Sequence, residues 1–373
     1  MSATAPFDAA YADRNAAARA AAGPVVGYLA NTVPVEMIRA AGAFAQLVTG
    51  SPDDETPDAL RRMEPFFSGA TLSIFQRYLD GRLGHLDAIV IPRSCEEHLQ
   101  LYYHALAARG DGRPEPILFD ILHTPFETTR AYSAGRLAAL RERLEKVCGQ
   151  RITDTALSAS IAEADAVRAR LAAVNALRTA DAPRLSGAEM QRITLAAAVM
   201  APSVFMEAAD ILVQAAPGMP ARRGVRLLLT GSAQDTDTIH RAVEAAGATI
   251  TADDHGFGDW WHLDPVGGGD PMRALLEKYH LNAPSVRTYP RARGDSRLMD
   301  AAARGRVQAA IFLTHQWDDT LGFDFPTQRA LLAGRDIPCL FLKEQPYSTP
   351  DPVAVRHAVS GFLSGHGLLE AAA

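Results

Sequence analysis

Apolar and polar positions alternate along the first third of the chain in the manner of an α/β domain. The apolar run 25–29 predicts a buried strand, and a turn at 32–34 leads into a predicted helix over 35–44, with proline in a favourable early position. The same order recurs in a predicted helix 70–79, strand 86–91, helix 95–108 and strand 115–119. This alternation indicates a parallel sheet flanked by helices, in which ligands usually bind beyond the carboxyl ends of the strands. The loops after Leu29 and Ile91 are therefore candidate site loops.

The rest of the chain divides into two patterns. From 129 to about 215 no strand signal is present, and Ala, Leu, Arg and Glu at helical spacing predict a connecting segment of helices. A second α/β unit follows, with predicted strands at 225–230, 309–313 and 337–342 and a helix at 237–246. We predict an α/β fold of two Rossmann-like (flavodoxin-like) parallel-sheet domains joined by a helical segment. The predicted divisions are a helical extension 1–24, a first α/β domain 25–128, a helical connecting segment 129–222 and a second α/β domain 223–373.

Composition and charge narrow the class of protein. The 373 residues carry a formal net charge of −6, which disfavours a nucleic-acid partner and an electrostatic membrane anchor. Asp8, Asp13 and Arg14 interrupt the amino terminus before any apolar core, so no secretory signal is predicted, and no apolar run approaches the length of a membrane span. We therefore expect a cytoplasmic protein with no membrane partner.

Several short signatures of catalytic or metal sites are absent. The chain has no Gly-x-x-x-x-Gly-Lys-Ser/Thr phosphate loop, no Cys-x-x-Cys and no His-Glu-x-x-His. His255 and His262 flank two tryptophans, but two histidines without a third spaced ligand are more typical of surface or core positions. The three cysteines lie far apart in sequence, which suits a reducing compartment and fits no disulfide framework: Cys95, Cys148 and Cys339.

One segment near the amino terminus identifies a family. The stretch 27–42 contains a strand, Val-Pro-x-Glu and an apolar helix that ends Ala-Ala-Gly, and it resembles the signature of the 2-hydroxyacyl-CoA dehydratase and benzoyl-CoA reductase family, D-component type. Further similarity lies at 79–96, 144–153, 325–326 and 336–338, in the expected order and over most of the chain.

The resemblance implies a cofactor and partners. Subunits of this family typically hold a 4Fe-4S cluster through three cysteines, near a pocket for an acyl-CoA, and a separate ATP-dependent activator protein delivers a low-potential electron. Cys95 matches one ligand position, whereas Ser68 and either Thr314 or His315 fall on the other two. Two of the three expected cysteines are thus replaced, and neutral Ser and Thr are weak iron ligands.

These replacements leave several alternatives open. The first is an enzyme subunit that dehydrates a 2-hydroxyacyl-CoA or reduces an aromatic acyl-CoA in a heterodimer, with an unusual cluster or metal held by Cys95, His315 and a carboxylate such as Glu64. The second is a cluster-deficient structural or substrate-binding subunit paired with a homologous, cluster-bearing sibling. The third is a family member that has taken another ligand.

Three other groups of charged side chains are candidates on weaker grounds. Glu36 lies in the first turn of its predicted helix, where a carboxylate favourably meets the helix dipole, and by resemblance it is a catalytic pocket residue near the acyl thioester. Arg39 and Arg93 are candidates for CoA phosphates, although isolated arginines are more often on the surface. Asp318 and its neighbour Asp319 are a candidate for a divalent ion, although adjacent acids before a turn are more often plain surface.

Overall fold

The first sheet is parallel, as the sequence predicts, and has four strands, one more than predicted. In the computed structural model, which describes residues 2–348 and 350–371, they are β1 Val25–Tyr28, β2 Phe44–Leu47, β3 Ala88–Pro92 and β4 Glu115–Phe119. Their order is β2-β1-β3-β4, with Val26 paired to Ala45 on one side and to Ala88 on the other. The strand order changes direction between β1 and β3, and such switch points form ligand crevices at the carboxyl ends of strands.

Helices surround this sheet and precede it. They are α1 Ala5–Ala12, α2 Ala16–Arg19, α3 Val35–Ala40, α4 Pro57–Leu60, α5 Gly69–Leu79 and α6 Glu96–Ala107. Two of these helices begin at predicted site residues: Ser68 is the N-cap of α5, and Cys95 is the N-cap of α6. The fold therefore places both residues in loops at the edge of the first sheet.

The connecting segment is helical, as predicted. It contains α7 Glu127–Cys148, α8 Asp154–Thr179, α9 Gly187–Ala197 and α10 Pro202–Ala215. Gly149 ends α7 at φ 66°, a left-handed conformation that glycine adopts without a Cβ clash, and the Thr153 hydroxyl caps α8 by accepting from Ala156 N. None of the helices among the described residues is long and apolar enough to cross a membrane.

The second sheet repeats the topology of the first. Its strands are β5 Val225–Gly231, β6 Ala248–Asp254, β7 Ala309–His315 and β8 Cys339–Gln345, all parallel and in the order β6-β5-β7-β8. The helices of this part of the chain are α11 Thr238–Glu244, α12 Pro271–Glu277, α13 Ala292–Gly305, α14 Asp319–Ala333, α15 Pro352–Gly365 and α16 Leu368–Ala371, of which α12 packs on α7 and α8. Two parallel sheets flanked by helices confirm the predicted fold class. The division of the chain at 24, 128 and 222 stays a prediction.

The sequence analysis missed the second strand of each sheet. The predicted helix 35–44 is in fact α3 followed by β2, because the chain turns at Gly42, with φ 78°, and no polar residues separate the two elements. Strand β6 carries two threonines and two aspartates within seven residues, so it lacks the apolar run by which the other strands were recognised. All seven residues of β6 are nevertheless buried, because hydrogen bonds to neighbouring elements satisfy the polar ones.

Contacts between the two α/β halves create the cleft that contains the candidate site. The side chain of Tyr347, which follows β8, packs so closely on the first half that a Cβ added to Gly69 would lie 2.9 Å from its Cδ1. Asn31, in the loop after β1, donates a hydrogen bond to Pro284 O at 2.9 Å. The loops at the carboxyl ends of both sheets therefore meet.

Candidate functional site

Ser68 holds the carboxylate of Glu97 at the edge of the first sheet. Its hydroxyl donates to Glu97 Oε2 at 2.5 Å, its amide donates to Glu97 Oε1 at 3.0 Å, and Thr71 Oγ1 donates to the same carboxylate at 2.7 Å. The Ser68 hydroxyl also accepts from Thr71 N as the helix cap of α5. Ser68 is thus fully engaged in local hydrogen bonds.

Cys95 lies between two carboxylates. Burial, together with the negative charges of Glu97 and Asp318, raises the pKa of the Cys95 thiol to about 12. Nucleophilic attack requires the thiolate, so without a bound metal this thiol is a poor nucleophile at neutral pH. The helix N-terminus at Cys95 favours the anion, but in this position the two carboxylates and burial outweigh that effect.

The two candidates on β7 point their polar atoms at protein partners. Thr314 is buried, and its hydroxyl accepts from Glu344 N at 3.2 Å. His315 Nε2 lies 3.2 Å from the amide nitrogen of Gln234, and His315 Nδ1 lies 3.3 Å from Gln345 O. Burial lowers the pKa of His315, so its imidazole is neutral, donating through Nδ1 and accepting through Nε2.

Ser232 links Asp318 to the backbone of His315. Ser232 Oγ donates to Asp318 Oδ2 at 2.5 Å and accepts from His315 N at 2.9 Å. Burial, and next the nearby charge of Glu97, raises the pKa of Asp318. Ser68 thus contacts Glu97, His315 is linked to Asp318 through Ser232, and the charges of both carboxylates act on Cys95.

Glu36 lies apart from this carboxylate pair, in a buried ion pair. Its side chain is completely buried, forms a salt bridge with Arg168 on α8, and accepts from Tyr279 Oη at 2.7 Å. Burial alone would raise the pKa of Glu36, but the charge and hydrogen bond of Arg168 lower it. The carboxylate is thus ionised and has its oxygens occupied by protein donors.

A cavity of about 50 Å³ opens beside this ion pair. Arg39 and Lys278 line it, as do the aromatic rings of Tyr28, Trp260 and Trp261. Lys278 donates to the carbonyl oxygens of Leu263 and Asp264 and to no carboxylate that the structure describes, and burial lowers its pKa to about 8. We call this space the cationic cavity, because two of its cations lack an acidic partner.

The sequence of the chain matches the model of a known protein family. The family model of 2-hydroxyglutaryl-CoA dehydratase, D-component, matches residues 31–364. The chain belongs to this family. A comparison with curated proteins finds no match.

The residues of this D-component family member do not fit the 4Fe-4S cluster that the resemblance implies. Such clusters are held by several thiolates, and the candidate set offers a single thiol, Cys95. The Ser68 hydroxyl holds Glu97, and both ring nitrogens of His315 have protein partners. Glu64 is exposed on the surface. The roles of Cys95 and His315 as metal or cofactor ligands stay predictions.

Apart from the positions predicted from the sequence, one group of three side chains among the described residues has the spacing of a metal site. The ligand atoms of His240, Asp253 and His255 lie within 4.8 Å of one another, and all three residues are buried. Arg178, which is completely buried, donates to Asp253 Oδ2 at 2.7 Å, and Phe257 N donates to His255 Nδ1 at 3.2 Å. These bonds use the carboxylate and fix the tautomer of His255, which indicates a structural network.

Sequence reasoning missed Arg168, Arg178 and Lys278. Arg168 and Arg178 lie on α8 in a helical pattern rich in alanine, where arginines are expected on the solvent-exposed surface. Their partners lie far away in sequence.

Arg93, a candidate for CoA phosphates, is close to two carboxylates: its Nη2 lies 3.4 Å from Glu96 Oε1, and its Nη1 lies 3.8 Å from Asp120 Oδ2. Asp319 is the first residue of α14.

Proposed function

We propose that this protein is an acyl-CoA-binding subunit of a 2-hydroxyacyl-CoA dehydratase-like complex and has no 4Fe-4S cluster of its own. Membership in the D-component family supports the complex and its partner subunits. The low-potential one-electron chemistry then takes place in a homologous, cluster-bearing sibling, and an ATP-dependent activator delivers electrons to that sibling. This protein contributes substrate binding and assembly.

The observation that carries the proposal is the state of the three expected ligand positions. Ser68 is bound to Glu97, Cys95 is the one cysteine among the three positions, and the ring nitrogens of His315 lie next to two protein partners. Two carboxylates stand where a cluster bearing negative thiolates would need neutral or positive surroundings.

The charge of the cationic cavity supports contact with one anionic group of an acyl-CoA. Coenzyme A is anionic through its phosphates, and Arg39 and Lys278 are cations without a carboxylate partner in the described structure. With a volume of about 50 Å³ the cavity holds no more than a small part of such a ligand, so the rest of the acyl-CoA would lie outside it. Arg168, which also lines the cavity, is already neutralised by Glu36 and Asp165, so we assign it no charge contact with the ligand.

Iron and acid-labile sulfide in the anaerobically purified and reconstituted chain test the missing cluster. We expect iron well below one atom per chain for the unmodified protein. The matched variant carries Ser68→Cys and His315→Cys together, which restores three thiols, and we expect it to gain iron, sulfide and a broad visible absorption. Near-stoichiometric cluster in the unmodified chain, lost in Cys95→Ala, would overturn the proposal; a single bound metal ion without sulfide would favour the atypical metal site instead.

Calorimetric titration with acyl-CoA esters tests the binding role. We expect saturable binding that weakens at least tenfold in Arg39→Ala. The control is Arg62→Ala, because Arg62 is exposed and lies outside the cationic cavity. Equal affinity in the two variants would place the ligand elsewhere.

A further inference from the structure

A second cavity lies at the carboxyl edge of the second sheet. It has a volume of about 170 Å³, and the ends of β5 and β7 form part of its floor through Gly231 and Phe312. The strand order changes direction between these two strands, which is where parallel sheets of this topology form ligand crevices. For scale, an engineered cavity of about 150 Å³ admits benzene. We call this space the polar cavity.

Three polar side-chain atoms that line the polar cavity are buried and have no hydrogen-bond partner in the described structure. They are Thr288 Oγ1, Asp295 Oδ1 and Gln328 Oε1. They come from three separate elements: the loop before α13, α13 itself and α14. A buried polar atom without a partner is destabilising, so three of them around one space indicate an occupant that donates hydrogen bonds.

The charges of the lining favour a cation. Three aspartates face two arginines. Arg297 pairs with Asp254 at 3.2 Å, and Arg291 pairs with Asp324 at 2.8 Å. Asp295 is left with a distant contact of 3.6 Å to Arg291, through its other carboxylate oxygen. The lining therefore retains one negative charge, centred on a carboxylate with an unpaired oxygen.

The polar cavity also has an apolar side. Val286, Phe312 and Leu321 line it together with the polar atoms. The face of the Trp260 ring is already covered by the guanidinium of Arg297, 4.4 Å from the ring centroid, so the indole is not free to receive a second cation. A ligand that fits these surfaces has a short carbon chain with donors at its ends.

We propose that the polar cavity binds a small organic ammonium ion with at least one further hydrogen-bond donor, and that Asp295 pairs with the ammonium group. Gln328 and Thr288 accept from the remaining donors. The occupant is distinct in charge from an acyl-CoA, and the inference does not depend on the proposed function.

Three probes of equal length separate the charge requirement from size: 4-aminobutan-1-ol, butane-1,4-diol and 4-hydroxybutanoate. In calorimetric titrations of the full chain we expect the amine to bind saturably at one site, at least tenfold more tightly than the diol, and the carboxylate not to bind. Equal or tighter binding of the diol or the carboxylate would overturn the proposal, as would the absence of saturable binding of the amine.

Substitutions locate the binding. Asp295→Asn is expected to weaken binding of the amine at least tenfold, whereas Asp300→Asn, an exposed carboxylate on the same helix, leaves it unchanged. Unliganded Asp295→Asn should unfold at the same urea concentration as the unmodified chain or at a higher one, because the substitution removes the excess negative charge of the lining. If it fails to fold, Gln328→Leu provides the second variant, with a several-fold loss expected. Unchanged amine affinity in a folded variant refutes the assignment. Acyl-CoA binding in Arg39→Ala concerns the other cavity, so either proposal can fail alone.

Discussion

The ion pair between Glu36 and Arg168 allows a direct test of whether Glu36 is a structural or a catalytic residue. We consider Glu36→Leu, which keeps the approximate volume of the side chain and removes its charge. Glu36 is completely buried and Arg168 is 11% exposed, so neither charge has free access to water as a replacement partner. The substitution leaves a guanidinium and the Tyr279 hydroxyl without their acceptor.

The size of the effect follows from these contacts. Removing one member of a buried ion pair destabilises a protein by about 3–5 kcal/mol, because the remaining charge is uncompensated. Asp165, 2.7 Å from Arg168 Nη1, still neutralises part of that charge, which lowers the loss. The orphaned Tyr279 hydroxyl adds about 1–3 kcal/mol. We expect a total loss near 4 kcal/mol for Glu36→Leu, on the order of the two effects combined.

A double-mutant cycle measured by urea unfolding tests this value. Arg168→Met alone leaves a completely buried carboxylate and is expected to destabilise by about 3–5 kcal/mol, whereas the double variant with Glu36→Leu is expected to recover most of the loss, since an apolar pair is often neutral in such a position. The control is Glu163→Ala, an exposed carboxylate on α8, with an expected change of less than about 0.5 kcal/mol.

The outcome that refutes the structural role is a Glu36→Leu variant with unchanged stability and lost acyl-CoA binding or activity in the complex. That result would assign Glu36 to the pocket, as the family resemblance implies. A coupling energy near zero would also contradict the reasoning, because it would mean that Glu36 and Arg168 stabilise the fold independently.

Three further predictions concern stability and reactivity. Burial lowers the pKa values of His123 and His255 to about 4, whereas a histidine of the unfolded chain has a pKa of about 6.5. The unfolded chain therefore binds more protons between these values, and the free energy of unfolding should fall as pH falls from about 6.5 to 4. Urea midpoints that stay constant over this range would contradict the prediction. With a thiol pKa of about 12, Cys95 should react with iodoacetamide at pH 8 at least tenfold more slowly in the folded than in the urea-unfolded chain, as measured by peptide mass spectrometry; equal rates would show that the thiol is neither buried nor suppressed. Gly231→Ala should lower stability by more than about 3 kcal/mol, since φ is +109° and the new Cβ would lie 2.0 Å from a carbonyl oxygen of β7, whereas Gly218→Ala meets open space and should stay within about 1 kcal/mol.

Most of the fold could be predicted from local pattern. The apolar runs of β1, β3, β4 and β5 identified those strands, because a strand buried on both faces is almost continuously apolar. The strand β6 escaped, because its threonines and aspartates are satisfied by partners on other elements, such as Gly305 O for Thr251 and Asp259 for Asp253 N. A pattern of single residues does not contain those partners.

The sequence by itself determined the alternation of strands and helices and the family to which the chain belongs, because both depend on the order and spacing of nearby residues. Only the tertiary structure decided which partners the candidate side chains contact. Glu36 meets Arg168 132 positions away and Tyr279 243 positions away, and these contacts place the candidate catalytic carboxylate in a buried ion pair. Burial in the folded chain, then the charge of Glu97 and to a smaller extent that of Asp318 from the other half, raise the pKa of the Cys95 thiol. Charge and protonation depend on distance in space, which a local pattern does not encode.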